Sequence, residues 1–309
     1  MSNNQVDVSV LIVSYNTRDM TIECIESIFE ETRSHSFEVI LIDNDSKDGS
    51  ADAIEERFPE VKLIRSEKNL GFAMANNVAS GQSSGKRTLL LNPDTVIVER
   101  AIDKLMDFAD ENPNCRMWGG RHMFRDGSRN TFNCWADYTL WTVFCGCTGL
   151  SKFVPGSPLF NPRPYPKYDR MSVKEVDIIT GCFLLMDTEL WDQLEGFDSD
   201  FFLFAEEADL CVRAREAGAR PLMTPDALII HDGGGSSPIH SEDRRIMLIK
   251  AERQYHRKHL GFFGSKLACL LIDMRVTRLA LLGALQHLVT GNRNPKASLD
   301  LLRRRKEWA

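Results

Sequence analysis

Acidic and amide side chains stand where runs of apolar residues break off, and their types suit metal-assisted phosphate chemistry. The sharpest break is "TLLLNPDTVI" (88–97), where Asn92-Pro93-Asp94 separates two apolar runs. Proline cannot donate to a sheet ladder, so regular structure stops there, and an acid follows at once. Three more clusters end apolar runs: Ser14-Tyr15-Asn16, Asp43-Asn44-Asp45 and Asn69-Leu70-Gly71. Carboxylates do not bind phosphates directly, but a carboxylate holding Mg²⁺ or Mn²⁺ does so through the metal. The commoner phosphate cradles are missing, with no G-x-x-x-x-G-K-[ST] loop and no G-x-G-x-x-G after the first apolar run. Turn chemistry alone would explain any one cluster. It suffices for Asp45 and Ser46, whereas Asp43 and Asp94 are assigned to a ligand.

The elements that must position these residues follow from the spacing of apolar side chains. "VSVLIVSYN" (8–16), "FEVILIDNDSKDGS" (37–50), "VKLIRS" (61–66) and residues 87–91 begin as or form strands. Between them, 17–30, 50–58 and 69–80 read as helices, with Thr17 and Ser50 as caps and Met20, Cys24, Ile25 and Ile28 at helical spacing. Alternating strands and helices predict a parallel α/β sheet covered on both faces. Ligands of such sheets gather at the carboxyl ends of the strands, where all four clusters fall. Further on come an aromatic-rich stretch (131–144) and a proline-rich irregular one (154–168). A strand (176–186), a helix (206–218) and a strand from 226 follow, the last running into a Gly-Ser loop (233–237). Trp135 and Trp141 read equally as core or subunit contacts and as a sugar platform.

Composition is that of a globular protein of 309 residues, 43% hydrophobic and 27% charged. No uncharged apolar run reaches the roughly 18 residues of a spanning helix. The first residues lack the basic start and cleavage site of a signal peptide, so a cytoplasmic location is expected. Cys24, Cys182, Cys211 and Cys269 sit among apolar residues as small core side chains. Cys134, Cys145 and Cys147 lack a second pair at zinc spacing and are read as reduced, buried thiols. The net charge of −6 is uneven, with 15 Lys/Arg against 4 Asp/Glu from Arg244 onward. That region predicts helices over 244–290. Its segment "GFFGSKLACLLIDMRVTRLALLGALQHLVTG" interleaves Lys266, Arg275 and Arg278 with apolar residues, as an interfacial amphipathic segment does. Arg303, Arg304, Arg305 and Lys306 would add attraction to anionic headgroups. Packing on the domain, or a homodimer contact, is the alternative. His256 and His259 are expected in solvent. No nucleic-acid reader motif accompanies the basic stretch, so nucleic acid is excluded as a partner.

"VSVLIVSYNTRDM", "FEVILIDNDSKDGS", "EKNLGFAMANN" and "LLLNPDTVI" together resemble the nucleotide-binding half of family-2 inverting glycosyltransferases with the GT-A fold. "TGCFLLM", "GFDSDFFLFAEEADLCVRAREAG" and "PDALIIHDGGGSS" resemble the acceptor half, in the same order, so the likeness covers about residues 7–237. The closest flavour is the bacterial rhamnosyltransferase type, in which Asn-Pro-Asp often replaces Asp-x-Asp. The resemblance implies a GT-A-like, mostly parallel central sheet flanked by helices over 1–240, with a helical C-terminal extension over 241–309. The nucleotide-binding half would span about 1–100 and the acceptor half about 101–240.

The same resemblance implies roles. Asp43 would hydrogen-bond the nucleobase with Tyr15 near its face, and Asn69, Gly71 and Phe72 would line the nucleoside pocket. Ser14, Asn16 and Asn92 would complete the nucleotide site. Asp94 and His231 would hold Mg²⁺ or Mn²⁺ on the diphosphate of a dTDP- or UDP-sugar donor. Glu207 would be the base that deprotonates a hydroxyl of a glycan or lipid-linked acceptor. Glu206 is its rival, because Glu206-Glu207 replaces the family's Glu-Asp pair. Asp209 pairs with Arg213 one turn on and needs no catalytic role. The Gly-Ser loop would close over the diphosphate and exclude water. The implied activity is transfer of a sugar, L-rhamnose among the candidates, in bacterial cell-surface polysaccharide synthesis. The expected location is the cytoplasm or the inner face of the cytoplasmic membrane. A sugar-phosphate nucleotidyltransferase and a non-catalytic sugar-nucleotide-binding protein are the alternatives.

Overall fold

A computed structural model describes residues 6–233, 241–290 and 301–309. The predicted Gly-Ser lid therefore lies outside the described residues from position 234 on.

The chain opens with the alternation its apolar runs predict: β1 (Val8–Ser14), α1 (Arg18–Glu31), β2 (Phe37–Asp43), α2 (Ser50–Arg57), β3 (Lys62–Arg65), α3 (Gly71–Ser80) and β4 (Arg87–Leu91). Then follow β5 (Thr95–Ile97), α4 (Ala101–Glu111), β6 (Met117–Met123), β7 (Arg129–Asn130), β8 (Cys134–Trp135), α5 (Leu140–Thr148) and α6 (Leu150–Phe153). The rest comprises β9 (Lys174–Glu175), β10 (Ile178–Ile179), β11 (Phe183–Asp187), α7 (Thr188–Gln193), α8 (Glu206–Glu216), β12 (Leu222–His231), α9 (Ser241–His259) and α10 (Gly261–Thr290). A last turn of helix covers Arg305–Trp308.

The main path of the large sheet runs β3-β2-β1-β4-β11-β6-β12-β5. Only β11 and β5 run against the rest of that path, so the sheet is mostly parallel, as expected. Every residue of β1 is buried, which is why its sequence is apolar but for Ser9 and the terminal Ser14. The predicted strand 176–186 is in fact two. β10 pairs with β8 in a small separate sheet, which accounts for Trp135, and β11 enters the large sheet. The turn at 180–182 between them carries Gly181 and Cys182. Thr17 holds the N-cap position of α1 but makes no side-chain capping bond, and Ser50 is not the cap of α2. The Thr17 hydroxyl joins those of Ser14 and Thr21 at 3.1 Å, and α2 begins at Ser50, whose N–H donates to Asp48 Oδ1 at 3.0 Å.

The described residues fall into two compact units. One comprises 6–135, 168–202 and 206–233, the other 136–167, 203–205, 241–290 and 301–309. The second unit thus draws on a segment interior to the range 1–240. Its core joins Val143 of α5, Ile246 and Ile249 of α9, and Ile272 and Val276 of α10 to Leu301 and Trp308. Several of its basic residues are paired within it. Arg275 bonds Glu252, Arg304 bonds Asp243 and Glu307, Arg305 bonds Asp273, and Arg278 donates to the Thr148 carbonyl at 2.8 Å. Among the described residues no helix is long and apolar enough to cross a membrane.

His256 overturns its expected exposure. It is fully buried in the second unit, with Tyr138 and Tyr255 each meeting its ring edge-on at 5.7 Å. Burial pushes the imidazole down to about 4, with Arg163 and Arg275 acting the same way against Glu252 and Asp137. His259 is half-buried, its ring 4.7 Å from that of Tyr255. A folded-state value below the ordinary 6.5 means that the stabilisation is present above 6.5 and is lost as pH falls toward 4. Acidification across that window is expected to remove up to about 3 kcal/mol, and His256→Leu to flatten the dependence. Urea unfolding midpoints at several pH values check this.

Candidate active site

The pairing of β12 with β5 brings the first two candidates together. His231 lies opposite Thr95 in that register, and Asp94 is the residue just before. The turn that carries Asp94 is closed by Thr95 Oγ1, which donates to the Asn92 carbonyl at 2.7 Å. His231 Nε2 and Asp94 Oδ1 are 3.4 Å apart, with the residues 8% and 6% exposed. Neither ring nitrogen of His231 makes a hydrogen bond. Buried imidazole nitrogens left over in this way beside a carboxylate fit a divalent cation held between them. Burial works against charge on His231, but the Cys182 sulfur and the Asp94 carboxylate outweigh it and raise the imidazole to about 11.

Two residues that sequence reasoning missed complete this corner. Cys182, read as a core filler, has its sulfur 3.8 Å from either ring nitrogen of His122. The His122 and His231 rings meet perpendicularly with centroids 5.7 Å apart. Burial opposes ionisation of Cys182, yet the two imidazoles hold its thiol well below the ordinary value. The available signal was a histidine beside Arg121 near the end of β6, where a buried ring needs a partner for its nitrogens.

At the ends of β2 and β1 the structure separates ligand candidates from turn-formers. Asp43 is buried. Its Oδ2 accepts from the Ser46 N–H at 3.1 Å, and its Oδ1 has no hydrogen bond. Asp45 sits at φ 71° and serves the turn, as expected. Asn16 is also in the left-handed region, and its Oδ1 accepts from the Lys47 N–H at 2.7 Å, so its side chain holds the loop. The Ser14 hydroxyl is engaged with Thr17 and Thr21, and Tyr15 is half-buried beside it. Asn44 ties two loops together. Its Nδ2 donates to Asn69 Oδ1 and the Gly71 carbonyl, and its Oδ1 accepts from the Leu70 N–H at 2.8 Å. Asn69 Oδ1 also takes the Gly71 N–H, so this amide shapes the turn.

Gly71 is required twice over. Its φ is +78°, and a Cβ built there would lie 2.3 Å from the Phe202 carbonyl oxygen. The next N–H, of Phe72, donates to that same carbonyl at 2.8 Å, and the Phe72 ring packs 5.8 Å from Phe197. Gly71→Ala is expected to destabilise the first unit by roughly 2–4 kcal/mol. Gly81→Ala at the other end of α3, with φ −61° and nothing nearer than 3.4 Å, is expected to be close to neutral. Denaturant titration of both variants tests the pair.

The acid pair opens α8, preceded by two non-glycine residues in the left-handed region, Phe204 (φ 72°) and Ala205 (φ 64°). Glu206 is buried with Oε2 lacking a hydrogen bond, and burial together with the Glu207 charge raises its carboxyl well above the carboxylate range. Glu207 is half-buried, with its Cβ 3.8 Å from where a Cβ on Gly181 would stand and the Phe72 ring close to the same point. Cys182, the next residue, accepts the Asn92 N–H through its carbonyl at 3.3 Å. Asp209 is fully buried and paired with Arg213 at 2.7 Å, and Arg213 donates onward to the carbonyls of Leu194 and Gly196. Its role is structural, as the spacing predicts.

A mostly parallel sheet with its polar clusters at the carboxyl edge is the fold of the GT-A glycosyltransferases. A solved structure similar to this chain is the mannosyltransferase PcManGT from Pyrobaculum calidifontis in complex with GDP-Man and Mn²⁺. Its TM-score is 0.56 at 17% identity, covering 98% of this chain and 83% of that one. Residues 9–194 match glycosyl transferase family 2, and the chain belongs to that family. The Myxococcus xanthus O-antigen biosynthesis protein RfbC is 24% identical over 236 residues, 74% of this chain and 17% of that one. The Mycobacterium tuberculosis N-acetylglucosaminyl-diphospho-decaprenol L-rhamnosyltransferase is 26% identical over 215 residues, 62% of this chain and 66% of that one. The chain thus matches under two thirds of the length of either relative.

Proposed function

We propose that the protein is a metal-dependent, inverting glycosyltransferase that moves a sugar from a nucleoside-diphosphate donor to a hydroxyl of a glycan or lipid-linked acceptor. The carrying observation is the meeting of Asp94 with His231, whose ring nitrogens are buried without hydrogen bonds, in a family 2 chain. A divalent cation held by these two residues would neutralise the charge that builds on the leaving diphosphate. The free Oδ1 of Asp43 suits an N–H on the edge of a thymine or uracil base, with Tyr15 near the base face. Glu207 receives the proton of the acceptor hydroxyl as its bond to the sugar forms. Burial and the Glu207 charge raise the Glu206 carboxyl well above the carboxylate range, which disfavours Glu206 as the base. Attack from the face opposite the diphosphate inverts the anomeric centre and needs no enzyme nucleophile.

L-Rhamnose as the sugar, a polyprenyl-diphosphate-linked acceptor and a place in cell-surface polysaccharide synthesis are favoured by the names of the two relatives. Incubation with a panel of dTDP- and UDP-sugars and acceptors, with NMR of the product, is expected to give an inverted linkage. A retained linkage would overturn inversion. Pyrophosphate release from a nucleoside triphosphate and a sugar phosphate would identify a nucleotidyltransferase instead. Donor binding without turnover on any acceptor would identify a non-catalytic binding protein.

A lipid-linked acceptor would be met at a bilayer, and exposed apolar residues of the second unit support docking there. Along α10, Phe263, Leu270, Met274 and Leu281 are 84%, 56%, 54% and 58% exposed, with Lys266 among them. Pairing of Arg275, Arg304 and Arg305 leaves apolar burial as the main attraction, so binding to neutral vesicles is expected with only modest gain from anionic lipid. Flotation of the full chain is expected, and Leu270→Asp with Met274→Asp should release it. Recovery of the unaltered chain in the unbound fraction, or as a homodimer burying this face, would remove membrane docking.

A further inference from the structure

Of the side chains that the proposed reaction does not use, two are imidazole and thiol groups packed against one that it does. We infer that His122, Cys182 and His231 form a thiolate–imidazole site for a borderline-soft divalent cation, zinc above all, with Asp94 at its fourth position. The topology makes the site. β11 inserts antiparallel between β4 and β6, so Cys182 just before β11 reaches the edge where Asp94 follows β4. His122 near the end of β6 and His231 at the end of β12 reach it from the parallel side, on adjacent strands.

The separations are close enough for one ion. One ligand atom from each of the three residues lies within 4.8 Å of the other two, and all three residues are buried. Zinc bonds of ordinary length in tetrahedral array place sulfur about 3.6 Å from nitrogen and nitrogen about 3.4 Å from oxygen. The structure has 3.4 Å from His231 Nε2 to Asp94 Oδ1, and 3.8 Å from Cys182 Sγ to both ring nitrogens of His122. The sulfur thus faces that ring, and a turn of the His122 side chain brings one nitrogen to the ion. A hydrogen-bonded His–Asp pair would be drawn closer and would use a ring nitrogen, yet both of those on His231 are left over. Outer partners are in place as well. The Thr180 hydroxyl is 3.3 Å from Cys182 Sγ, and Asn130 Nδ2 donates to the His231 carbonyl at 2.8 Å. Magnesium prefers oxygen ligands and does not suit a thiolate, whereas zinc and cobalt accept thiolate, imidazole and carboxylate together. The inference shares Asp94 and His231 with the proposed reaction but does not depend on sugar transfer.

The test is metal analysis and cobalt spectroscopy on the full chain, purified without chelators and freed of any tag. Zinc at one ion per chain is expected to survive gel filtration and to leave on treatment with a chelator. Cobalt(II) added to the stripped protein is expected to give the near-ultraviolet thiolate-to-cobalt absorption. Cys182→Ser and His122→Gln, each checked for native circular dichroism, should abolish and weaken that band respectively, while Cys24→Ser should leave it unchanged. Absence of the band in the unaltered protein, or its persistence in Cys182→Ser, would overturn the site and leave a packed buried cluster. Nucleoside-diphosphate binding with Mn²⁺, measured on chelator-stripped protein so that no zinc or cobalt occupies Asp94 and His231, separates the two proposals. The band without such binding keeps the site and sinks the reaction, and binding without the band does the reverse.

Discussion

Glu207→Gln is expected to lower sugar transfer by about 10²–10⁴-fold while leaving donor affinity within about twofold. Proton transfer from the acceptor is the one step asked of this side chain, and glutamine keeps its shape and removes its basicity. Glu206 makes the sharp control. It is buried, and burial and its neighbour raise its carboxyl well above the ordinary range, which favours the neutral form. Glu206→Gln keeps the shape and the favoured uncharged form, and most activity is expected to remain. Should Glu206→Gln alone abolish transfer, with both variants still binding donor, the two roles are exchanged.

Asp94→Asn is expected to lower metal-supported turnover by about 10²–10³-fold and to remove most of the dependence of donor binding on a divalent cation. Charge neutralisation at a leaving diphosphate supplies several kcal/mol, which is the size of that loss. His231→Ala should fall in the same range. Because the two side chains are 3.4 Å apart and would grip one ion, the double variant should be little worse than either single one. Full additivity would mean that they act separately, and kinetics at several Mn²⁺ concentrations distinguishes the cases.

Much of this was legible in the sequence for a plain reason. Parallel strands are buried on both faces, so β1, β2 and β4 each carry an apolar run (Val10–Val13, Val39–Ile42, Leu89–Leu91) whose polar end marks the ligand edge. Pro93 made the end of β4 visible and drew attention to Asp94. Pairing across the sheet left no such mark. That β12 lies against β5, opposing His231 to Thr95, is a matter of long-range register, as is the insertion of β11 that carries Cys182 to His122. A single buried cysteine in "TGCFLLM" looks the same whether its neighbours are methyl groups or imidazoles. Asn44 was hidden likewise, because only the folded loops show it bonded to Asn69, Leu70 and Gly71. His256 misled through its charged neighbours in sequence, Arg257 and Lys258, which face outward while its own ring is enclosed by Tyr138 and Tyr255.

Calorimetric titration of the full chain with dTDP and UDP, with Mn²⁺ present and again after chelation, bears most directly on the proposed site. Binding of at least one of these diphosphates with the ion present, lost on chelation and lost in Asp94→Asn, is the predicted result. Binding indifferent to both chelation and Asp94, or no binding of either diphosphate with Mn²⁺ present, would contradict it.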